Sequence, residues 1–171
     1  VFADNPKEML KQAYKINKWG KNVYVKIPVM NTKRETSTKL LEELANQNVK
    51  LNVTAIMTPE QVRDTANSLN INVPAYVSVF AGRIADTGRD PLPIMQASVD
   101  LLAGLPKAEL IWASPRELLN VFQANTIGCD IITVTGEILS KLSKVGYDLE
   151  DYSLDTVKMF YDDAVSAGFE L

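Results

Sequence analysis

Strand-like and helix-like stretches alternate along this chain, and no two strands are joined by a hairpin signal. Strands are predicted at 23–29, 51–57, 75–82, 109–114 and 131–135, with Val1-Phe2-Ala3 as the stub of a further one. Between them lie apolar stretches with helical spacing. The first follows an Asp4-Asn5-Pro6 cap and ends near Gly20. Others are predicted at about 35–48, 59–69, 93–104, 115–124 and 137–142, and a last helix at 154–167. Parallel strands need a crossover, and a helix is the usual one. The pattern therefore predicts a parallel sheet with helices outside it. No Ser/Gly-rich linker or shift in composition divides the chain, so residues 1–171 read as a single domain.

Two parallel architectures compete, the open doubly wound sheet and the closed barrel. A dinucleotide-binding doubly wound sheet calls for a Gly-rich turn after its first strand. Here Gly82, Gly88 and Gly104 are scattered and read as turn residues. Alternation within the strands is more informative, because successive side chains point to opposite faces. Val23, Val25, Ile27 and Val29 share one face, while Tyr24, Lys26 and Pro28 share the other. The next strand sets Leu51, Val53, Ala55 and Met57 against Asn52, Thr54 and Ile56, and the third sets Ala75, Val77, Val79 and Ala81 against Tyr76, Ser78, Phe80 and Gly82. An open sheet covered by helices would be apolar on both faces. One aliphatic and one mixed face fit a barrel, with Lys26, Asn52, Thr54, Ser78 and Ser114 converging inside.

Lys26 stands between Val-Tyr-Val and Ile-Pro-Val. On an edge strand such a lysine snorkels, its stem covered and its ammonium wet. In an interior it is a desolvated amine able to form a Schiff base with a carbonyl substrate. Asn, Thr and Ser on the matching faces of neighbouring strands favour the second reading. Arg83 and Arg116 follow strand ends. Each alone reads as a surface cation, but with Ser114 they suit a sugar phosphate, which two guanidinium forks and a hydroxyl can hold. Arg116 is expected in the first turn of its helix, where backbone N–H groups face an anion.

Composition narrows the chemistry. There is no histidine, which removes imidazole bases and the commonest zinc sites. Cys129 is the only cysteine, and the formal charge of −3 advertises no nucleic-acid partner. No metal site and no cofactor are expected. No apolar run has the roughly 18 residues of a membrane span. The opening VFADNPKEML does not read as a signal peptide, so none is expected. A cytoplasmic protein is the expectation.

The segments VYVKIPV, KLNVTAIMTPEQV, YVSVFAGRIADTGRDP, LIWASPREL and GCDIITVT, in that order, resemble the transaldolase family, and within it the shorter bacterial transaldolase-like members. The resemblance implies an α/β fold, the (β/α)8 TIM barrel of class I aldolase type, with this chain covering about strands 3 to 8. It implies that Lys26 forms the Schiff base with a ketose phosphate and holds a dihydroxyacetone unit for transfer to an aldose phosphate. By the same match Thr54 positions a catalytic water, and Asn52 and Ser78 bind the dihydroxyacetone hydroxyls. Arg83, Ser114 and Arg116 then hold the sugar phosphate. Phe80 stands where the related fructose-6-phosphate aldolases have Tyr. Phe has no proton to give, which favours transfer over simple cleavage.

The family's barrel has two further βα units ahead of the segment found here, with an acidic residue on its first strand and a Thr-Asn-Pro motif on its second. Its third strand carries a Glu. Val1-Phe2-Ala3 matches the later part of that third strand, and Asp4 lies in the loop beyond. Three readings follow. The chain is a transaldolase whose N-terminal segment is elsewhere, another Schiff-base aldolase of the same fold, or an inactive fragment. The stretch SLDTVKMFYDDAVSAGF is amphipathic, and short family members use a similar helix between subunits. A homo-oligomer, or pairing with the missing N-terminal segment, is therefore expected.

Overall fold

The computed structural model describes residues 1–168, in two compact units, Val1–Thr135 and the described residues from Gly136 on. In the first unit five strands form one sheet in chain order: β1 (Val25–Pro28), β2 (Leu51–Ile56), β3 (Ala75–Val79), β4 (Ala108–Trp112) and β5 (Ile131–Ile132). All four pairings are parallel. Among the described residues β1 and β5 are the edges, so the sheet is open. Val1-Phe2-Ala3 forms no strand; the Val1 amino group instead donates to the Lys26 carbonyl at 2.7 Å.

The crossovers are helical: α1 (Pro6–Asn17), α2 (Thr38–Asn46), α3 (Pro59–Ser68), α4 (Ala81–Ala85), α5 (Leu92–Leu102) and α6 (Leu119–Thr126). Two Pro-marked starts, at Pro6 and Pro59, fall where the sequence puts them, whereas the helix expected from 115 begins at Leu119. Asn5 caps α1 by accepting from the Glu8 amide at 3.0 Å, and Thr58 and Gln61 form a reciprocal capping box on α3. Helix α4 was not expected. The third strand stops at Val79 because Phe80 turns the chain (φ −85°, ψ 63°), and Ala81 and Gly82 continue as helix.

One sheet face carries the core. Val25, Ile27, Leu51, Val53, Val77, Val79, Leu110 and Trp112 are buried in one cluster with Met9 and Ala13 of α1, Leu40, Leu41 and Leu44 of α2, Val62 of α3 and Met95 of α5. These are the aliphatic faces that alternation singled out. Burying such side chains contributes about 1.5–3 kcal/mol each.

The alternation breaks within β2. Val53 pairs with Val77, but Ile56 pairs with Val79, so β2 spends one residue more than β3. The extra residue is Ala55, left-handed at φ 63° and exposed. This bulge returns Ile56 to the core, fully buried, where strict alternation set it beside Thr54.

The second unit contains α7 (Gly136–Ser140), a 3-10 turn (Lys141–Lys144) and α8 (Leu149–Ala167). Helix α8 starts five residues before the expected 154, because the Asp148 carboxylate caps it by accepting from the Glu150 and Asp151 amides. None of its residues is buried.

Candidate active site

The second face of the sheet is polar in the middle. Register places Lys26 beside Asn52 and Pro28 beside Thr54. Asn52 is beside Tyr76 in turn, two residues before Ser78. The Ser78 hydroxyl, almost fully buried, donates to the Asn52 Oδ1 at 2.7 Å. The Thr54 Oγ1 is buried with no hydrogen-bond partner. Four of the residues singled out from sequence therefore lie on one face across three strands, Lys26, Asn52 and Ser78 in a row and Thr54 two residues along β2. Below the row Tyr24 and Tyr76 stack across β2, ring centroids 4.1 Å apart. Burial, then the Tyr76 hydroxyl, holds the Tyr24 phenol above its ordinary value.

Lys26 differs from expectation in one respect. Its side chain is exposed, not desolvated. Among the described residues β1 is an edge strand, and a lysine on an edge strand reaches solvent with its ammonium.

The phosphate-binding candidates divide into two groups. Arg83 lies over the Phe80 ring, its guanidinium carbon 5.3 Å from the centroid. It lines a cavity of about 440 Å³ with Met57, Pro59, Thr87, Arg89 and Ile94. Arg116 faces elsewhere. Its Nε donates to Asp86 Oδ1 at 2.9 Å and its Nη2 to Asp86 Oδ2. That carboxylate raises the Arg116 pKa further and keeps it charged.

Arg116 is also not in a helix. It precedes α6 by three residues, and its amide donates to the Asn120 Oδ1 at 2.8 Å. The Glu117 amide shares that acceptor at 3.2 Å. The donors that were expected to face an anion are thus already occupied by Asn120. Alternation read from the sequence puts Leu110, Trp112 and Ser114 on one face, but the alternation ends before Ser114, which is left-handed at φ 58°. It approaches α4 so closely that a Cβ on Gly82 would lie 1.5 Å from its carbonyl oxygen and 3.2 Å from the Arg116 Nε. Gly82 is therefore a contact glycine where the sequence suggested a turn.

Sequence reasoning passed over Asp86 and Asn120 and read Gly82 only as a turn residue. Asn120 carried a local signal, four residues after Arg116 where one helical turn can fold it back. Asp86 carried none, being thirty residues from its partner. Among the described residues no group of three or more His, Cys, Asp or Glu is placed to hold a metal ion. No helix there is long and apolar enough to cross a membrane.

Fold and polar row define a class, a parallel βα-repeat protein with a lysine set among amide and hydroxyl side chains. The family model described as Transaldolase/Fructose-6-phosphate aldolase matches residues 1–171, and the chain belongs to that family. A relative from Nitrosopumilus maritimus (strain SCM1), named "Probable transaldolase", is 30% identical over 158 residues, 88% of this chain and 67% of its own. Another of the same name, from Clostridioides difficile (strain 630), is 30% identical over 91% of this chain and 68% of its own. The chain thus spans about two thirds of the length of these curated relatives. A solved structure described as "Native KDPGal structure" overlays 77% of this chain and 78% of its own at 14% identity and a TM-score of 0.32, a superposition too loose to bear on the fold.

Proposed function

We propose that this chain carries the Schiff-base machinery of a transaldolase, moving a dihydroxyacetone unit from a ketose phosphate to an aldose phosphate. The observation that carries the reading is the row Lys26, Asn52, Ser78, with Thr54 in the same face. Lys26 Nζ attacks the ketone carbon, and loss of water leaves an iminium. The bond between C3 and C4 then breaks and its electrons pass into the iminium. The product aldehyde leaves, the C4 hydroxyl proton goes to water, and an enamine remains on Lys26. Attack of the enamine on an acceptor aldehyde reverses these steps. Asn52, held by Ser78, hydrogen-bonds the dihydroxyacetone hydroxyls. The unpartnered Thr54 hydroxyl positions the water that hydrolyses the iminium.

Phe80 favours transfer over cleavage, since its ring offers the enamine no proton. Arg83, Ser114 and Arg116 are the phosphate-binding residues of this reading, although Arg83 lies over Phe80 and Arg116 is held at Asp86. The setting is cytoplasmic and the chain works as an oligomer, with α8 as the contact helix.

Borohydride trapping with fructose 6-phosphate tests the lysine. The reduced adduct should sit on Lys26 and disappear in Lys26→Met; equal labelling of that variant rejects the assignment. Fructose 6-phosphate with and without erythrose 4-phosphate tests the reaction. Rapid release of free dihydroxyacetone without acceptor assigns cleavage instead. The exposure of Lys26 favours a second reading, an inactive fragment that does not turn over by itself. Sustained turnover by the purified 171-residue chain rejects that one.

A further inference from the structure

We infer that Asp86 is a positioning residue for oxyanion binding at Arg116, holding the guanidinium so that its outer edge receives a phosphate group. The inference rests on the sugar-phosphate reading for the identity of the anion.

Arg116 is fixed at three points. Asn120 accepts from its backbone amide, and the Asn120 Nδ2 is itself tied to Gln123 Oε1 at 2.9 Å. The Nε lies against the bare Cα of Gly82, where a methyl group would come within 3.2 Å. Asp86, the residue that closes α4, takes the Nε hydrogen and one Nη2 hydrogen. A guanidinium has five N–H donors. The second hydrogen on Nη2 and one on Nη1 remain together on the end of the guanidinium, the edge next to the one Asp86 occupies, and the last Nη1 hydrogen points back toward the Cδ side. The end edge has the two-pronged geometry that phosphate oxygens prefer.

Asp86 has two opposite effects on an anion at this edge. Its charge repels the anion, so its removal would tighten binding. Its hydrogen bonds order a long side chain beforehand, so its removal would loosen binding. Both side chains are about half exposed, at 49% for Arg116 and 51% for Asp86. Water and salt therefore screen the repulsion, whereas the geometric constraint is unaffected by screening. Ordering prevails, and loss of Asp86 weakens phosphate binding.

The test is titration of the full chain with inorganic phosphate at fixed ionic strength, for the wild type, Asp86→Asn, Arg116→Gln and the double variant. Asp86→Asn is expected to weaken binding about three- to tenfold, and Arg116→Gln at least as much. In the Arg116→Gln background, Asp86→Asn should change affinity less than about twofold, because the two act as one unit. Asp86→Glu, which can rebuild the fork, should recover part of the loss. Tighter binding by Asp86→Asn overturns the inference, since repulsion then governs. An equal loss with and without Arg116 also overturns it. Absence of saturable binding to the wild type overturns the phosphate site itself, and the inference with it. If Asp86→Asn melts early, Asp86→Ser at the same exposed position carries the same expected sign.

Discussion

The Ser78 hydroxyl and the Asn52 side-chain carbonyl are 2.7 Å apart across β2 and β3, and the serine is nearly sealed from solvent. Removing the hydroxyl leaves the amide oxygen without its donor on a face where Asn52 is itself partly covered. Ser78→Ala is expected to destabilise the chain by about 1 kcal/mol, read from the urea midpoint. An unchanged midpoint shows that the bond contributes nothing net.

Gly82 has no room for a side chain. A Cβ there would overlap the Ser114 carbonyl oxygen at 1.5 Å, and backbone cannot swing aside as a long side chain can. Gly82→Ala should cost about 3 kcal/mol or more. A variant as stable as the wild type would show that the 113–116 loop stands free of α4.

Ala55 presents the opposite case. It holds φ 63° with a side chain that gains nothing from burial. The left-handed conformation costs about 1–2 kcal/mol for a residue with a Cβ, offset in part by the greater freedom of glycine in the unfolded chain. Ala55→Gly should therefore stabilise by about 0.5 kcal/mol, and Ala55→Val should destabilise. A drop in stability for the glycine variant contradicts this account of the bulge.

Asp4 holds the β1–α2 loop. Its carboxylate accepts from the Thr32 amide at 2.8 Å and from the Thr32 hydroxyl at 2.6 Å. These bonds hold its pKa below the usual 3.8. A depressed folded pKa gives stability that is complete above the unfolded value and lost as pH falls through the folded one. The Thr32 amide should therefore exchange faster with solvent as pH drops below about 4, after correction for the intrinsic rate. In Asp4→Asn that acid-dependent change should be absent. If the variant keeps it, another carboxylate holds the loop.

Helix α8 exposes Leu149, Val157, Phe160 and Val165, each at 59% or more. Apolar surface of this extent favours association. The purified chain should run larger than its 18.9 kDa mass by light scattering, and a double Val157→Lys, Phe160→Lys change should reduce that size. A sharp monomer peak for the unmodified chain contradicts it.

Much of this arrangement was legible in the residues. Alternation found the core face of β1 to β4 and the row Lys26, Asn52, Ser78, because side-chain direction in a strand depends only on parity. Parity fails wherever one residue leaves the extended region. Ala55 and Ser114 do so without the glycine or asparagine that usually marks such a place. Hence Ile56 and Ser114 were assigned to the wrong company. The exposure of Lys26 was not legible either, since it depends on what covers a face and not on the strand that bears it. Nor was the Asp86–Arg116 pair, which forms only when α4 and the loop after β4 meet.

The bulge at Ala55 has one more effect. In a regular strand Thr54 and Ile56 would lie side by side, and a change in the bulk of either would be felt by the other. One extra residue sends Thr54 to the polar face and Ile56 into the packed interior. The end of β2 is thereby decoupled. Core substitutions at 56 can be absorbed by the helices without pressing directly on the hydroxyl at 54, and the polar row can change its chemistry without repacking the interior.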